Sequence, residues 1–141
     1  REIEKFAVRM GGATNHRMNL SDAALIKDNH IAATGSISDA VKDVRNKFPN
    51  LSIEVEIDRL DQMEEAIAGK VDLILLDNMS PDQCKLAVKQ CAGRTKLEAS
   101  GGITLENARD YAMSGVNFIA IGALTHSAVI LDIGLDLKVK G

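Results

Sequence analysis

The sequence predicts an α/β fold in which parallel strands alternate with helices to form part of a β/α barrel, and three observations predict it. Apolar, β-branched runs recur at "LSIEVEI" (51–57), "VDLILLDN" (71–78), "TKLEASGG" (95–102) and "VNFIAIGA" (116–123), with starts 20, 24 and 21 residues apart. Helical patterns fill the intervals: "DQMEEAIAG", "SPDQCKLAVKQCAG" and "TLENARDYAMSG". Every run ends, at its carboxyl side, in a residue with chemistry or in a glycine that admits close backbone approach. Alternation at this spacing gives a parallel sheet with right-handed crossovers. In a β/α barrel the strand ends ring one mouth, where such folds place their sites; in an open sheet they would line up along one edge. Five strands cannot close an eight-stranded barrel, so the expectation is a partial one.

Each element has its own signal. "EIEKFAVRM" reads as a helix stopped by Gly11 and Gly12. "AALI" (23–26) is a short strand that delivers Lys27 at its end, and "SISDAVKDVRNKF" is a capped helix before the Pro49 turn. In "SIEVEID", Ile53, Val55 and Ile57 share one face while Glu54, Glu56 and Asp58 share the other. The apolar face packs on helices, Glu54 and Glu56 point inward, and Asp58 is solvated. Inward carboxylates need cations or ligand hydroxyls to answer them, because uncompensated burial costs several kcal/mol. "LILLDN" then carries Asp77 past four apolar residues. Ser80 caps the following helix with Pro81 at its first position, and Thr104 with Glu106 marks the start of the next. Gly69, Gly93 and Gly115 are expected to be left-handed helix stops.

Composition bounds the function. The 141 residues suffice for one domain, and 45% hydrophobic with 26% charged residues is ordinary for a globular chain. A net charge of −3 argues against general nucleic-acid or membrane-surface binding. No run of eighteen apolar residues offers a membrane span. The first residues carry neither an initiator Met nor a signal-peptide core, which reads as a fragment or a processed piece. Cys84 and Cys91 lie two turns apart on one helix face, too far for a disulfide. They read as small buried hydrophobes in a reducing compartment.

The chemistry concentrates at the strand ends. "NHRMNLSDAALIKDNH" (15–30) interleaves cations with apolar positions, unlike a disordered basic tail. Arg17 can grip a carboxylate with two parallel bonds, Lys27 supplies a point charge, and His16 can donate or accept near neutral pH. His30 and His126 read as structural, bonding to nearby backbone. Glu56 and Asp77, at neighbouring strand ends, suit ribose hydroxyls, a magnesium ion or a developing sugar cation. Two glycine turns on consecutive strands, Ser100–Gly101–Gly102 and Ile121–Gly122–Ala123, suit one shared phosphate. A cationic side, an acidic side and a phosphate cradle suggest an anionic small molecule joined to a phosphorylated sugar.

The segments "GGATNHRMNLSDAALIKDNHI", "IEVEIDRLDQ", "DLILLDNMSP", "LEASGGITLEN" and "IGALTHSAVILDIGLDL" together resemble quinolinate phosphoribosyltransferase, the carboxylating nicotinate-nucleotide pyrophosphorylase family. The resemblance covers nearly the whole chain in order. It implies a cytoplasmic pentosyltransferase of two domains, an α/β sandwich followed by an incomplete β/α barrel, with residues 1–141 forming the barrel portion. It implies transfer of ribose 5-phosphate from phosphoribosyl pyrophosphate to quinolinate, with Mg2+ as cofactor and loss of CO2, in NAD biosynthesis. It implies a homodimer or larger homo-oligomer, binding neither nucleic acid nor membrane. His16, Arg17 and Lys27 match the family's quinolinate-side cations, and Glu56 and Asp77 its carboxylates near ribose and magnesium. Ser100, Gly101, Gly102 and the turn of Ile121, Gly122 and Ala123 match its 5-phosphate contacts. Family members also carry an "RKT" stretch and an N-terminal domain whose arginine reaches a neighbouring subunit's site. Neither is in this sequence, so the expectation is that the chain alone is inactive. Three other readings compete: a molybdenum-transport-associated paralogue with another acceptor, a non-catalytic structural module, and a generic phosphate-binding barrel isomerase.

Overall fold

The structure, a computed structural model, describes residues 2–15, 23–127 and 132–135. Helix α1 (Glu2–Met10) precedes strand β1 (Ala24–Ile26), helices α2 (Asp28–Thr34) and α3 (Ile37–Lys47), and strand β2 (Ile53–Ile57). A short 3-10 turn (Leu60–Gln62) leads into α4 (Met63–Ala68), followed by β3 (Leu73–Asp77) and α5 (Pro81–Cys91). The remainder is β4 (Lys96–Ser100), α6 (Ala108–Met113), β5 (Phe118–Ile119) and α7 (Ala123–His126). No described helix is long and apolar enough to cross a membrane.

The five strands are all parallel and stand in sequence order, β1 to β5. With right-handed crossovers, stepping always in one direction puts every helix on the same face. The burial agrees. Ile53, Val55 and Ile57 of β2, Ile74 and Leu76 of β3, and Leu97 and Ala99 of β4 are at most 1% exposed. They share one core with Ile37 and Val41 of α3, Met63 and Ala66 of α4, Cys84, Ala87 and Cys91 of α5, and Tyr111 of α6. A doubly wound sheet would divide its helices between two faces. This sheet is therefore five strands of a barrel wall, with one face left for the interior. Both cysteines are free and buried, and burial pushes the Cys84 thiol up, away from the reactive thiolate.

The helix boundaries show where local chemistry outranks simple patterning. Ser80 caps α5 as expected: its Oγ accepts from the Gln83 N–H at 3.3 Å, and Gln83 Oε1 accepts from the Ser80 N–H at 2.8 Å. Ser80→Ala removes one half of this reciprocal box, and we expect a loss of about 1 kcal/mol, read from the urea midpoint. A midpoint unchanged within error would show that the cap is carried by Pro81 and solvent alone. Gly93 and Gly115 adopt positive φ, but Gly69 sits at −69° and Lys70, at φ 53°, makes the left-handed turn instead. Glycine is not required at 69 for its backbone.

Helix α6 begins at Ala108 with Asn107 as its N-cap, four residues after Thr104. Asn107 Oδ1 accepts from the Thr104 N–H at 2.8 Å, and its Nδ2 donates to the Gly102 carbonyl at 3.1 Å. The Thr104 hydroxyl beside the Glu106 carboxylate holds its pKa below the ordinary value. These two residues thus make a turn before the helix. Helix α2, absent from the sequence reading, fills residues 28–34.

Candidate active site

Side chains alternate across a strand, and paired residues of a parallel ladder point to the same side. The face opposite the helices therefore carries Glu54 and Glu56 on β2, Leu73, Leu75 and Asp77 on β3, and Lys96, Glu98 and Ser100 on β4. Lys27 follows β1 and lies level with Glu56, since Ile26 pairs with Val55. This is the barrel interior, and at its carboxyl end stand the residues singled out from the sequence.

Lys27 Nζ donates to Glu56 Oε2 at 2.9 Å. The Glu56 side chain is 17% exposed and that of Lys27 46%, so the pair spans the boundary between wall and open mouth. Removing either partner would leave the other's charge unanswered at the edge of the interior. Lys27 is itself fixed by local folding: it is the N-cap of α2, and its N–H donates to His30 Nδ1 at 3.0 Å. His30 thus has the structural role expected of it, bonding to backbone beside the site.

Asp77 ends β3, with its Cα paired to that of Ser100. Its Oδ2 accepts from Asn78 Nδ2 at 2.8 Å, a neutral donor. Beyond Ser100, Gly101 and Gly102 adopt φ of 96° and 60°, a left-handed run that a side chain would strain. Asp58 is exposed and pairs with its neighbour Arg59 at 3.6 Å, as a solvated acid does. Since Ala99 pairs with Ile119, the turn of Ile121, Gly122 and Ala123 leaves the sheet beside Ser100–Gly101–Gly102. Gly122 has φ −63°, so this second turn does not use glycine's conformational freedom. The structure thus brings Lys27 to Glu56, Asp77 to Ser100, and the two turns to adjoining strands. The expectations for His16, Arg17 and the His126 side chain fall outside the described residues.

Two residues were missed by the sequence reading. Glu98, 6% exposed on the interior face, sits between Leu75 and Phe118; its signal was the one acid interrupting the strand "KLEAS". Asn78 was visible as an asparagine directly after a strand, the residue type that best tolerates left-handed backbone outside glycine.

Glu56 and Asp77 are hard oxygen donors, and magnesium takes one or two such carboxylates, completing its octahedron with water and substrate phosphates. Among the described residues no three His, Cys, Asp or Glu side chains form a metal-binding group. The donor set fits an ion shared with an anionic ligand and does not fit an all-protein cage.

A singly wound parallel wall with cation, carboxylates and glycine turn at its carboxyl-end mouth defines a β/α-barrel protein of the class that binds small molecules there. The chain belongs to one family of that class: residues 1–136 match the profile described as "Quinolinate phosphoribosyl transferase, C-terminal domain". It is 53% identical over 140 residues to the nicotinate-nucleotide pyrophosphorylase [carboxylating] of Mycobacterium leprae, covering 97% of this chain and 49% of that protein. It is 49% identical over 141 residues to a probable enzyme of the same name from Bacillus subtilis, covering 99% and 49%. The crystal structure of the Ehrlichia chaffeensis nicotinate-nucleotide pyrophosphorylase superposes with a TM-score of 0.87 at 45% identity, covering 95% of this chain and 49% of that one. The chain spans about half the length of the curated relatives it matches.

Proposed function

We propose that the intact protein transfers ribose 5-phosphate from phosphoribosyl pyrophosphate to quinolinate, releasing pyrophosphate and CO2 and forming nicotinate mononucleotide. The observation that carries this reading is the placing of Lys27, Glu56, Asp77 and the Ser100–Gly102 turn on one interior face, in a chain of this family. Lys27, with His16 and Arg17, neutralises the two quinolinate carboxylates and holds the ring nitrogen toward the sugar. Orientation of this kind accounts for several kcal/mol of barrier. Glu56 and Asp77 stabilise the positive charge that grows on the sugar carbon as pyrophosphate leaves. The amides of the Ser100–Gly102 turn and of residues 121–123 hold the 5-phosphate.

Once the carbon–nitrogen bond forms, the ring nitrogen is cationic. It takes up the electron pair of the adjacent carbon–carboxylate bond as CO2 departs, and a proton then replaces the carboxylate on the ring. No protein nucleophile takes part. Magnesium, when bound by Glu56 and Asp77, neutralises charge on the phosphates. The working unit is a homodimer or larger homo-oligomer, completed by a substrate arginine from a neighbouring subunit.

The test is CO2 release from carboxyl-labelled quinolinate with phosphoribosyl pyrophosphate and magnesium, on this chain and on the intact protein. Release by the intact protein alone is expected; release by neither overturns the reading. Within it, Arg17→Ala and Lys27→Ala are expected to weaken quinolinate binding about 10–100-fold, the scale of a charge-assisted hydrogen bond. Binding of phosphoribosyl pyrophosphate should fall far less. Calorimetric titration of each ligand reads the difference, and equal losses for both would sink this division of labour.

A further inference from the structure

Among the described residues, three that are not glycine adopt positive φ: Lys70, Asn78 and Ala92. Lys70 follows the α4 terminus and Ala92 is the C-cap of α5, where left-handed backbone is common. Asn78 is different, because it directly follows a strand at the mouth. Its N–H donates to the Ser100 carbonyl at 2.8 Å and its Nδ2 donates to Asp77 Oδ2 at 2.8 Å. An amide facing a carboxylate must present its NH2, so the Asn78 Oδ1 is turned the other way, toward Gly101. A Cβ on Gly101 would overlap Asn78 Oδ1 and Cγ, so the carboxamide occupies the space that glycine leaves open. The next residue, Met79, is 2% exposed and anchors the turn in the core.

We propose that Asn78 is a positioning residue: its carboxamide, wedged between Asp77 and Gly101, sets the Asp77 carboxylate and ties it to the glycine turn. The inference rests on the proposed function and deepens it. Asp77 Oδ2 accepts from Asn78, which leaves Oδ1 for a ligand, and the acid and the glycine turn are placed as one unit. Gly101 is glycine for this reason as well as for its φ of 96°.

Asn78→Gly is the informative variant, since glycine accepts the left-handed backbone and keeps the N–H to Ser100 while losing the carboxamide. In the intact protein, kcat should fall about 10–100-fold, the scale of a misplaced catalytic group, with KM for quinolinate within about threefold of wild type. The same substitution made on Asp77→Asn should cost almost nothing further, because Asn78 acts through Asp77. Fully additive losses, or an Asn78→Gly enzyme as fast as wild type, overturn the proposal. A crystal structure of Asn78→Gly decides independently of turnover. Asp77 spread over several rotamers supports positioning, whereas Asp77 in its original place overturns it. An inactive wild type would remove the proposed function and leave this structural test in force.

Discussion

Asp77→Asn in the intact protein is expected to slow turnover by about 10²–10³-fold, the scale on which a single electrostatic stabiliser acts, with little change in thermal stability. The effect should exceed that of Glu56→Gln. Lys27 sits 2.9 Å from Glu56 and already offsets its charge, whereas Asp77 accepts a hydrogen bond from the neutral amide of Asn78. On the proposed mechanism, the acid without a paired cation is expected to stabilise a growing sugar cation more strongly. Asparagine keeps the size of Asp77 and removes only the charge, so the comparison isolates the electrostatics. Single-turnover rates at saturating quinolinate would measure it. If Asp77→Asn turns over within threefold of wild type while Glu56→Gln does not, the weight belongs on Glu56 and the roles exchange.

The largest loss of stability is expected from Leu76→Ala, about 2–5 kcal/mol. Leu76 is fully buried in the middle strand of the five and faces the helix layer. Against a total of about 5–15 kcal/mol for a typical domain, that loss shifts the denaturation midpoint far enough to leave part of the population unfolded. Leu73, on the same strand but on the interior face and only half-buried, should cost clearly less when made alanine. Urea titrations of the two variants test which face of β3 is the core. Equal losses would contradict a single-sided helix layer.

Much of this arrangement was readable from residue order, for a physical reason. The outer strand faces must be apolar to pack on helices, so their runs announce themselves, and Ile53, Val55 and Ile57 against Glu54 and Glu56 also announce which face is which. Lys27 and Asp77 stood out because each follows an apolar run that has no packing use for a charge, and Glu56 because it alternates with apolar residues inside a strand. Less legible was whatever depends on short-range bonding. Helix α2 has no buried residue and takes its start from a Lys27–His30 contact rather than from periodic apolar positions. The left-handed residue after α4 is Lys70, since the chain turns one position beyond the obvious glycine. Asn78 signalled only a tolerance for left-handed backbone, and its contact with Gly101, far along the chain, was not legible. Glu98 looked like one acid in an ordinary strand, and only the pairing of β4 with β3 and β5 showed that it faces inward.

The order of the strands also bears on how the chain is made. Each strand pairs with the one synthesised just before it: Ala24 with Ile53, Glu54 with Leu73, Leu73 with Lys96, and Glu98 with Phe118. All of these partners are roughly twenty to thirty residues apart, close for a parallel sheet, so closing each loop costs little entropy. A nascent chain leaving the ribosome can therefore add one strand-and-helix unit at a time to an edge that is already formed, without waiting for its carboxyl terminus.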